Sequence, residues 1–314
     1  MKKQILFLLL ISGAIITSCA SNRISNPHAK HTPGTLPVTE DLLVDKTEAT
    51  NFNWLEYMYW TKEVHGKDSE LYRATLPDTL VWSELGCDTV LQDFYLRHPA
   101  YRHHPVAGIS QDQAKAFSQW RSDRVFESHL ISEGIIHFNG QQDANNYFSI
   151  ENYFTGNYKD LITDGDNSFL IEVVPDMSLK HPEYRLPNDE DRLAILDYVD
   201  STDYYFHAKN EKKYRKWREN NLPFHLAHTP CGDDSTNIFV TRETDTNLDP
   251  KGKYALLHNT RGNVAEWGAD ENVTYGGGWP HNVEYVLKND TISSQNANAW
   301  TGFRNVCEWK KWKK

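Results

Sequence analysis

Oxygen-bearing residues are concentrated between Asn259 and Trp267, a stretch that reads N-T-R-G-N-V-A-E-W. Asn259, Gly262 and Glu266 alternate side-chain oxygens with a residue that lets the backbone turn. Such a loop can present carboxamide, carboxylate and main-chain carbonyl oxygens to one hard cation. The pattern therefore favours a Ca²⁺ site over a zinc site. The alternative is a glycine-rich turn in which Glu266 caps backbone amides.

The charge of Glu266 leads to the same expectation. Val264 and Trp267 are apolar neighbours, so the carboxylate is expected to be at least partly buried. A buried carboxylate must pair with a cation or take up a proton, because an uncompensated charge is costly away from water. Calcium is the expected partner, since Asn259 and the carbonyls around Gly262 add neutral oxygens that an arginine would not use.

A second group of potential metal ligands is His225, His228 and Cys231, whose spacing suits two or three zinc ligands. No second Cys or His pair follows at a matching distance, and Pro223 and Pro230 favour a loop. Both observations argue against zinc binding at these three residues.

The first residues of the chain predict export. Lys2 and Lys3 precede an apolar run from Ile5 to Ile16, which is too short and wrongly flanked for a membrane-spanning helix. Residues 1–18 are therefore expected to be a signal peptide.

The end of this leader predicts a lipid anchor. Residues 16–19, I-T-S-C, are similar to a bacterial lipobox, in which Cys19 is acylated and becomes the first residue of the exported protein. Two or three acyl chains anchor a domain without a transmembrane span. Residues 19–34 are then expected to form a flexible tether. The alternative is an ordinary secretory peptide cut near Ala20.

The composition restricts the size of the domain and the classes of partner. The 314 residues suffice for one large domain or two small ones, and 39% apolar with 12% aromatic content supplies a sizeable core. Without the two leading lysines the formal charge moves from −10 to −12, which opposes binding to nucleic acid. Three cysteines follow the lipobox, and an exported compartment permits one disulfide with one thiol left over among Cys87, Cys231 and Cys307.

Two helices are predicted from capping residues. Thr50 is placed to cap the first, with Phe52, Leu55 and Tyr59 expected on one face.

The second predicted helix begins after Ser110, which forms a capping box with Gln113. Phe117 and Trp120 lie on its apolar stripe, and the helix is expected to end near Arg121.

Three motifs resemble the signature of the formylglycine-generating enzyme family, also called the sulfatase-modifying factor family. Its G-N-V-W-E-W, R-G-G-S-W and G-F-R motifs read here as G-N-V-A-E-W at 262–267, Y-G-G-G-W at 275–279 and G-F-R at 302–304. The resemblance implies one α+β domain over residues 35–314. This fold is C-type-lectin-like and loop-rich, with short strands and a few helices.

The resemblance also implies structural calcium. The positions that correspond to the family's first Ca²⁺ site, through side-chain or backbone oxygens, are Asn259, Gly262, Val264 and Glu266. Those that correspond to its second Ca²⁺ site, an A-N-I segment with a downstream aspartate, are Asn237, Ile238 and Asp245.

The catalytic chemistry of the family is not expected. Its enzymes oxidise a substrate cysteine with O₂ and a copper ion held by two cysteines, because thiolates are soft ligands that suit Cu(I). The corresponding segment, residues 278–296, contains no cysteine. No copper is therefore expected.

The chain contains an insertion relative to the family pattern. In the family an R-L-P motif follows the second predicted helix directly, whereas here it stands at 185–187, some sixty residues further along the chain. Residues 124–183 are therefore interpreted as an insertion of short strands and loops.

Lipid-anchored proteins with this fold and without the catalytic cysteines include gliding-motility and type IX secretion lipoproteins of Bacteroidetes, which this chain resembles. The resemblance implies a non-catalytic envelope protein that contacts partner proteins in an outer-membrane assembly. Residues 20–22, A-S-N, lack the acidic run that often marks surface export in that phylum, so the periplasmic face is expected.

Two other classes of function stay open. One is a metal-dependent oxidase of the same superfamily with altered ligands, either His281 with Glu284 or His225 with His228. The other is a glycan- or peptide-binding module, which the relation of the fold to C-type lectins implies.

Overall fold

The structure of the protein is a computed structural model that describes residues 24–85, 90–165, 167–201, 257–282, 286 and 291–313. Several predicted sites lie outside these residues. They are the acylated cysteine Cys19, the second calcium site at Asn237, Ile238 and Asp245, and the zinc alternative at His225, His228 and Cys231.

The described helices are short apart from three. They are α1 Asn51–His65, α2 Glu70–Ala74, α3 Val90–Phe94, α4 Gln111–Ser132, α5 Ile150–Thr155 and α6, residues 189–201. Single turns of 3-10 helix lie at Ala29–His31, Thr79–Leu85 and Pro99–Tyr101. Among the described residues, no helix is both long and apolar enough to cross a bilayer.

The caps of α1 and α4 are confirmed. The hydroxyl of Thr50 accepts a hydrogen bond from the Asn53 amide, and the Asn53 side chain accepts one from the Thr50 amide. Ser110 and Gln113 exchange the same pair of bonds at the start of α4. Each box satisfies two backbone donors that the first turn of a helix leaves without partners.

The buried face of α1 differs from the prediction. Phe52 and Tyr59 are 42% and 65% exposed, whereas Trp54 is fully buried. The indole of Trp54 stacks on Phe117 at 5.5 Å and donates a hydrogen bond to the carbonyl of Thr75. A tryptophan buries more area than the other candidates and needs a partner for its N–H, so it decides which face turns inward.

Helix α4 is longer than predicted. It runs to Ser132, well past Arg121, because Ser122, Phe126 and Leu130 continue its buried stripe at a spacing of four residues. The first part of the predicted insertion is therefore a continuation of this helix, not a loop or strand.

Short strands form three small sheets. The strands are β1 Thr35–Pro37, β2 Leu43–Asp45, β3 Lys159–Asp164, β4 Asn167–Glu172, β5 Lys180–Arg185, β6 Ala265–Trp267, β7 Val273–Tyr275, β8 Ile292–Ser293, β9 Thr301–Gly302 and β10 Val306–Lys311. The first sheet has the order β1-β2-β10-β5, the second β8-β7-β6-β9, and β3 pairs with β4. This arrangement of helices with short strands confirms the α+β, loop-rich fold.

The first two sheets are joined by a tight crossover. Strand β9 runs parallel to β6, with Gly302 opposite Glu266, and β10 then pairs with β2 and β5 in the first sheet. Between β9 and β10 lie Phe303, Arg304 and Asn305, all fully buried. The chain therefore carries an arginine from one sheet to the other without exposing it to water.

Cys307 lies in β10 and is a buried free thiol. Burial raises the pKa of this thiol well above its usual range, so it stays protonated and unreactive. Of the three cysteines that could form the expected disulfide, this leaves Cys87 and Cys231, which lie outside the described residues.

Gly276 and Gly156 allow a test of how tightly the signature segment is packed. Their backbone angles are nearly equal, with φ of +79° and +76°. A Cβ at Gly276 would lie 2.7 Å from the carbonyl oxygen of Thr260, whereas one at Gly156 would meet nothing within 4 Å. We expect Gly156→Ala to lower the free energy of unfolding by about 1–2 kcal/mol. Gly276→Ala should add a clash of about 1–3 kcal/mol.

Urea unfolding of the two variants measures the difference. Equal losses would show that the backbone around Thr260 yields and that only the left-handed conformation matters.

Candidate functional site

Arg304 is the centre of a buried polar cluster at the signature segment. Its guanidinium is fully buried, and its Nε and Nη2 donate to Oε1 of Glu266 at 3.0 and 2.8 Å. Nη1 donates to the carbonyl oxygen of Asp45 at 2.7 Å, and Nη2 to that of His258 at 2.5 Å. Since Asp45 ends β2 and Glu266 lies in β6, one side chain holds both sheets.

Glu48 adds a second buried carboxylate. It is 1% exposed, and its Oε2 lies 4.0 Å from Nη2 of Arg304. The side-chain amide of Asn263 donates to Oε1 at 2.9 Å, and that of Asn259 to Oε2 at 3.2 Å. Burial raises the pKa of Glu48 to about 7, an effect that Arg304 opposes and the nearby Glu266 increases. This carboxyl group is therefore partly protonated at neutral pH.

The predicted calcium loop is tightly curled. Asn259, Gly262 and Asn263 all have left-handed backbone angles, with φ of +52°, +76° and +62°. Asparagine adopts this conformation more often than most residues, and glycine has no Cβ to clash; here the two asparagine side chains are held by Glu48. The amide of Gly262 donates to the carbonyl of Gly276 at 3.0 Å, and Val264 is buried beside it. The structure thus brings the first set of predicted ligand positions into one compact turn.

The carboxylate of Glu266 has a positive partner that the sequence argument did not expect. That argument preferred calcium to arginine as its partner, but Oε1 of Glu266 accepts two hydrogen bonds from Arg304. The amide of Asn259 is turned to Glu48. A guanidinium therefore supplies the counter-charge that the calcium ion was expected to supply. Calcium bound at Asn259, Gly262, Val264 and Glu266 stays a prediction.

Glu48 and the role of Arg304 were missed from the sequence. One signal existed, because a glutamate expected to be buried needs a cation and Arg304 stands in the same signature segment. Glu48 gave no such signal. It lies between Thr47 and Ala49 shortly after β2, and the pairing of β2 with β10 brings it to Arg304.

Within the described part of residues 278–296, where the resemblance places the family's copper ligands, Trp279 and His281 are both held by hydrogen bonds. The indole of Trp279 is fully buried and donates to the carbonyl of Ala299 at 3.2 Å. Nδ1 of His281 accepts a hydrogen bond from the amide of Gly278 at 2.8 Å, so this histidine caps the turn. Glu284, its proposed partner in the oxidase alternative, lies outside the described residues.

A groove lies away from this segment, between α4, the start of α5 and β5. Its volume is about 420 Å³, and aromatic and acidic side chains line it, including Asp123, Tyr147, Glu151, His181 and Trp312. Burial raises the pKa of Asp123 to about 6, while the Ile150 amide that bonds its carboxylate opposes the shift. Aromatic walls with carboxylates suit a cationic or polyhydroxylated group.

Comparison with known proteins identifies the domain. The chain matches the family model described as Sulfatase-modifying factor enzyme 1-like domain over residues 13–309. A search of the curated proteins found no match.

The Arg304 pair predicts a large loss on substitution of its carboxylate. Glu266→Gln leaves the guanidinium buried without its nearest charge, and removal of one partner from a buried ion pair costs about 3–5 kcal/mol. We expect this loss in the free energy of unfolding in calcium and in EDTA alike. Glu183→Gln is the matched control, because Glu183 pairs with Lys310 at 2.7 Å on the surface. That pair should contribute less than about 1 kcal/mol.

Chelation separates the two accounts of Glu266. If EDTA lowers the melting temperature of the wild-type protein but not that of Glu266→Gln, then calcium is the partner of this carboxylate and the arginine account is overturned.

Glu48 predicts a pH dependence of stability. Its pKa is about 7 in the folded state against 4.5 as the ordinary value, so folding favours the protonated form. Its contribution to stability is complete below pH 4.5 and is lost as the pH rises to about 7. The loss amounts to about 3 kcal/mol. Glu48→Gln removes this titration, and urea unfolding at pH 4.5 and pH 8 should show the variant gaining on the wild type by that amount. Parallel pH profiles would contradict it.

Proposed function

Because the chain belongs to the sulfatase-modifying factor enzyme 1-like family, we propose that it is a non-catalytic, lipid-anchored envelope protein that uses this fold for protein–protein contact. The observation that carries the proposal is the absence of cysteine from residues 278–296. Copper(I) in this family is held by a pair of thiolates there, and no other common side chain replaces two soft sulfur ligands. A fold kept without its catalytic ligands is available for binding.

Exposed apolar side chains support a contact role. Phe169, Leu170 and Ile171 in β4 are 40–50% exposed, and Val174, just beyond the strand, is 90% exposed. Soluble proteins rarely leave such residues grouped on the surface unless another protein covers them. An isolated pair of strands is also only marginally stable by itself. This β3–β4 hairpin is therefore proposed to meet an apolar surface of a partner protein.

The hairpin is held in place for such a contact. Asp160 in β3 is 2% exposed, and its carboxylate accepts hydrogen bonds from the backbone amide of His137 at 3.0 and 3.1 Å. Its Oδ2 also lies 2.8 Å from Nδ1 of the same histidine. The base of the hairpin is thus tied to the loop after α4, while its apolar residues project outward.

The anchor follows from the leader sequence. Acylation of Cys19 would tether the domain to the outer membrane, and the lack of acidic residues at 20–22 supports the periplasmic face. The proposed partners are envelope proteins of a gliding-motility or type IX secretion assembly, a proposal supported by the resemblance to lipoproteins of that kind.

Co-purification from detergent-solubilised envelopes tests the contact. We expect a partner protein to be recovered with the wild-type chain and to be lost with the double variant Phe169→Asp, Ile171→Asp, since these two residues lie on the same face of β4. The reason is that two charges on the apolar face would have to be desolvated in the complex. Leu193→Asp is the matched control, because Leu193 in α6 is 69% exposed and lies far along the chain from the hairpin.

Two outcomes would overturn the proposal. One is a chain that is extracted gently as a monomer without any partner. The other is purified protein that carries stoichiometric copper or iron and loses it on His281→Ala, which would establish the oxidase alternative. The Cys19→Ser variant checks the anchor separately, since it should no longer sediment with membranes.

A further inference from the structure

Two histidines and a glutamate meet beside the N-terminal segment. In the part of the chain that the structure describes, His31, His129 and Glu133 form a group whose ligand atoms all lie within 4.8 Å of one another. The two imidazole rings are 4.5 Å apart between centroids and are tilted by 57°. The group belongs neither to the signature segment nor to the β3–β4 hairpin.

Two elements position these side chains. His129 lies in the last turn of α4 and Glu133 is its C-cap residue, a spacing of four that places both on one helix face. His31 closes the 3-10 turn Ala29–His31. This turn is fixed because the indole of Trp309 in β10 donates to the hydroxyl of Thr32 at 2.9 Å.

One ring nitrogen in the group lacks a hydrogen-bond partner. Nδ1 of His129 is buried and has no hydrogen-bond partner in the structure. Buried polar atoms in proteins almost always have a partner, and one left without it costs about 1–3 kcal/mol. A cation bound at this nitrogen would satisfy it.

We infer that His31, His129 and Glu133 bind a divalent transition metal, with Zn²⁺ the ion that fits best, and that the ion fastens the N-terminal segment to the end of α4. Two imidazoles and one carboxylate are the ligand types of three-ligand zinc sites, in which water takes the fourth position. The carboxylate of Glu133 also offsets Lys30, which adds a positive charge next to His31.

The ligand atoms need only a small movement to close on an ion. Bonds of about 2.0–2.1 Å in a tetrahedron place neighbouring ligands about 3.3–3.5 Å apart. Glu133 is exposed and both histidines are half-buried, so their side chains can rotate by the remaining distance. The inference stands independently of the proposed function, because it uses neither the signature segment nor a partner.

Zinc titration of the full-length chain, purified in detergent without a histidine tag and stripped with EDTA, tests the site. We expect calorimetry to show one more zinc equivalent for the wild type than for Glu133→Gln or His129→Gln. If the variants still bind zinc at that site, their affinity should be at least about tenfold lower. Loss of an outer-shell partner alone lowers metal affinity by about that factor. His103→Gln is the control, since His103 is exposed and outside the group. Glu133→Gln changes an exposed side chain, so it keeps the fold even if His129→Gln does not.

Proteolysis supplies a second readout. Trypsin cleavage after the exposed Lys30 should slow when zinc is added to the wild type and should not slow for Glu133→Gln. Wild-type protein that binds no zinc would overturn the inference. So would zinc binding and cleavage that are unchanged in both ligand variants, since the metal would then lie elsewhere, as at His225 and His228.

Discussion

A guanidinium that cannot reach water must be neutralised where it lies, and this constraint organises the fold around Arg304. The side chain is fully buried between two sheets, with the carboxylate of Glu266 at 2.8 Å and that of Glu48 at 4.0 Å. Nη1 and Nη2 also donate to the carbonyl oxygens of Asp45 and His258. Such a cluster stabilises only when its geometry is complete, because the desolvation of each charge is costly. The crossover from β9 to β10 therefore has little freedom to move.

The same cluster shows what the family's motifs do in a chain with no cysteine in residues 278–296. The glycines of the second motif permit close contact, since a Cβ at Gly278 would lie 2.5 Å from the carbonyl of Trp300. The G-F-R motif delivers Arg304 to Glu266 in the first motif. These residues build the fold, and none of these contacts needs the copper chemistry. This is why the motifs indicate the fold with certainty while the activity must be argued from the site.

Local signals in the sequence predicted the parts of the structure that local chemistry decides. The caps at Thr50 and Ser110 were correct, because a side chain that bonds the first turn of its own helix needs no distant partner. The buried face of α1 was not, since Trp54 finds Phe117 and Thr75 only in the folded chain. The contact of Arg304 with Glu266 was missed for the same reason, while the calcium site stays a prediction. The sequence indicates that a buried Glu266 needs a positive charge beside it. That Arg304 lies there depends on how β6, β9 and β10 come together.

The N-terminal segment contacts the domain from Asn26 onward, within residues 19–34 that were expected to be a flexible tether. Asn26 already donates to the carbonyl of Glu40 at 2.9 Å, and His28 stacks on Trp309 at 4.6 Å. If Cys19 is acylated, the chain from Cys19 to Asn26 spans at most about 25 Å when fully extended. The lipid would therefore hold the domain close to the bilayer surface.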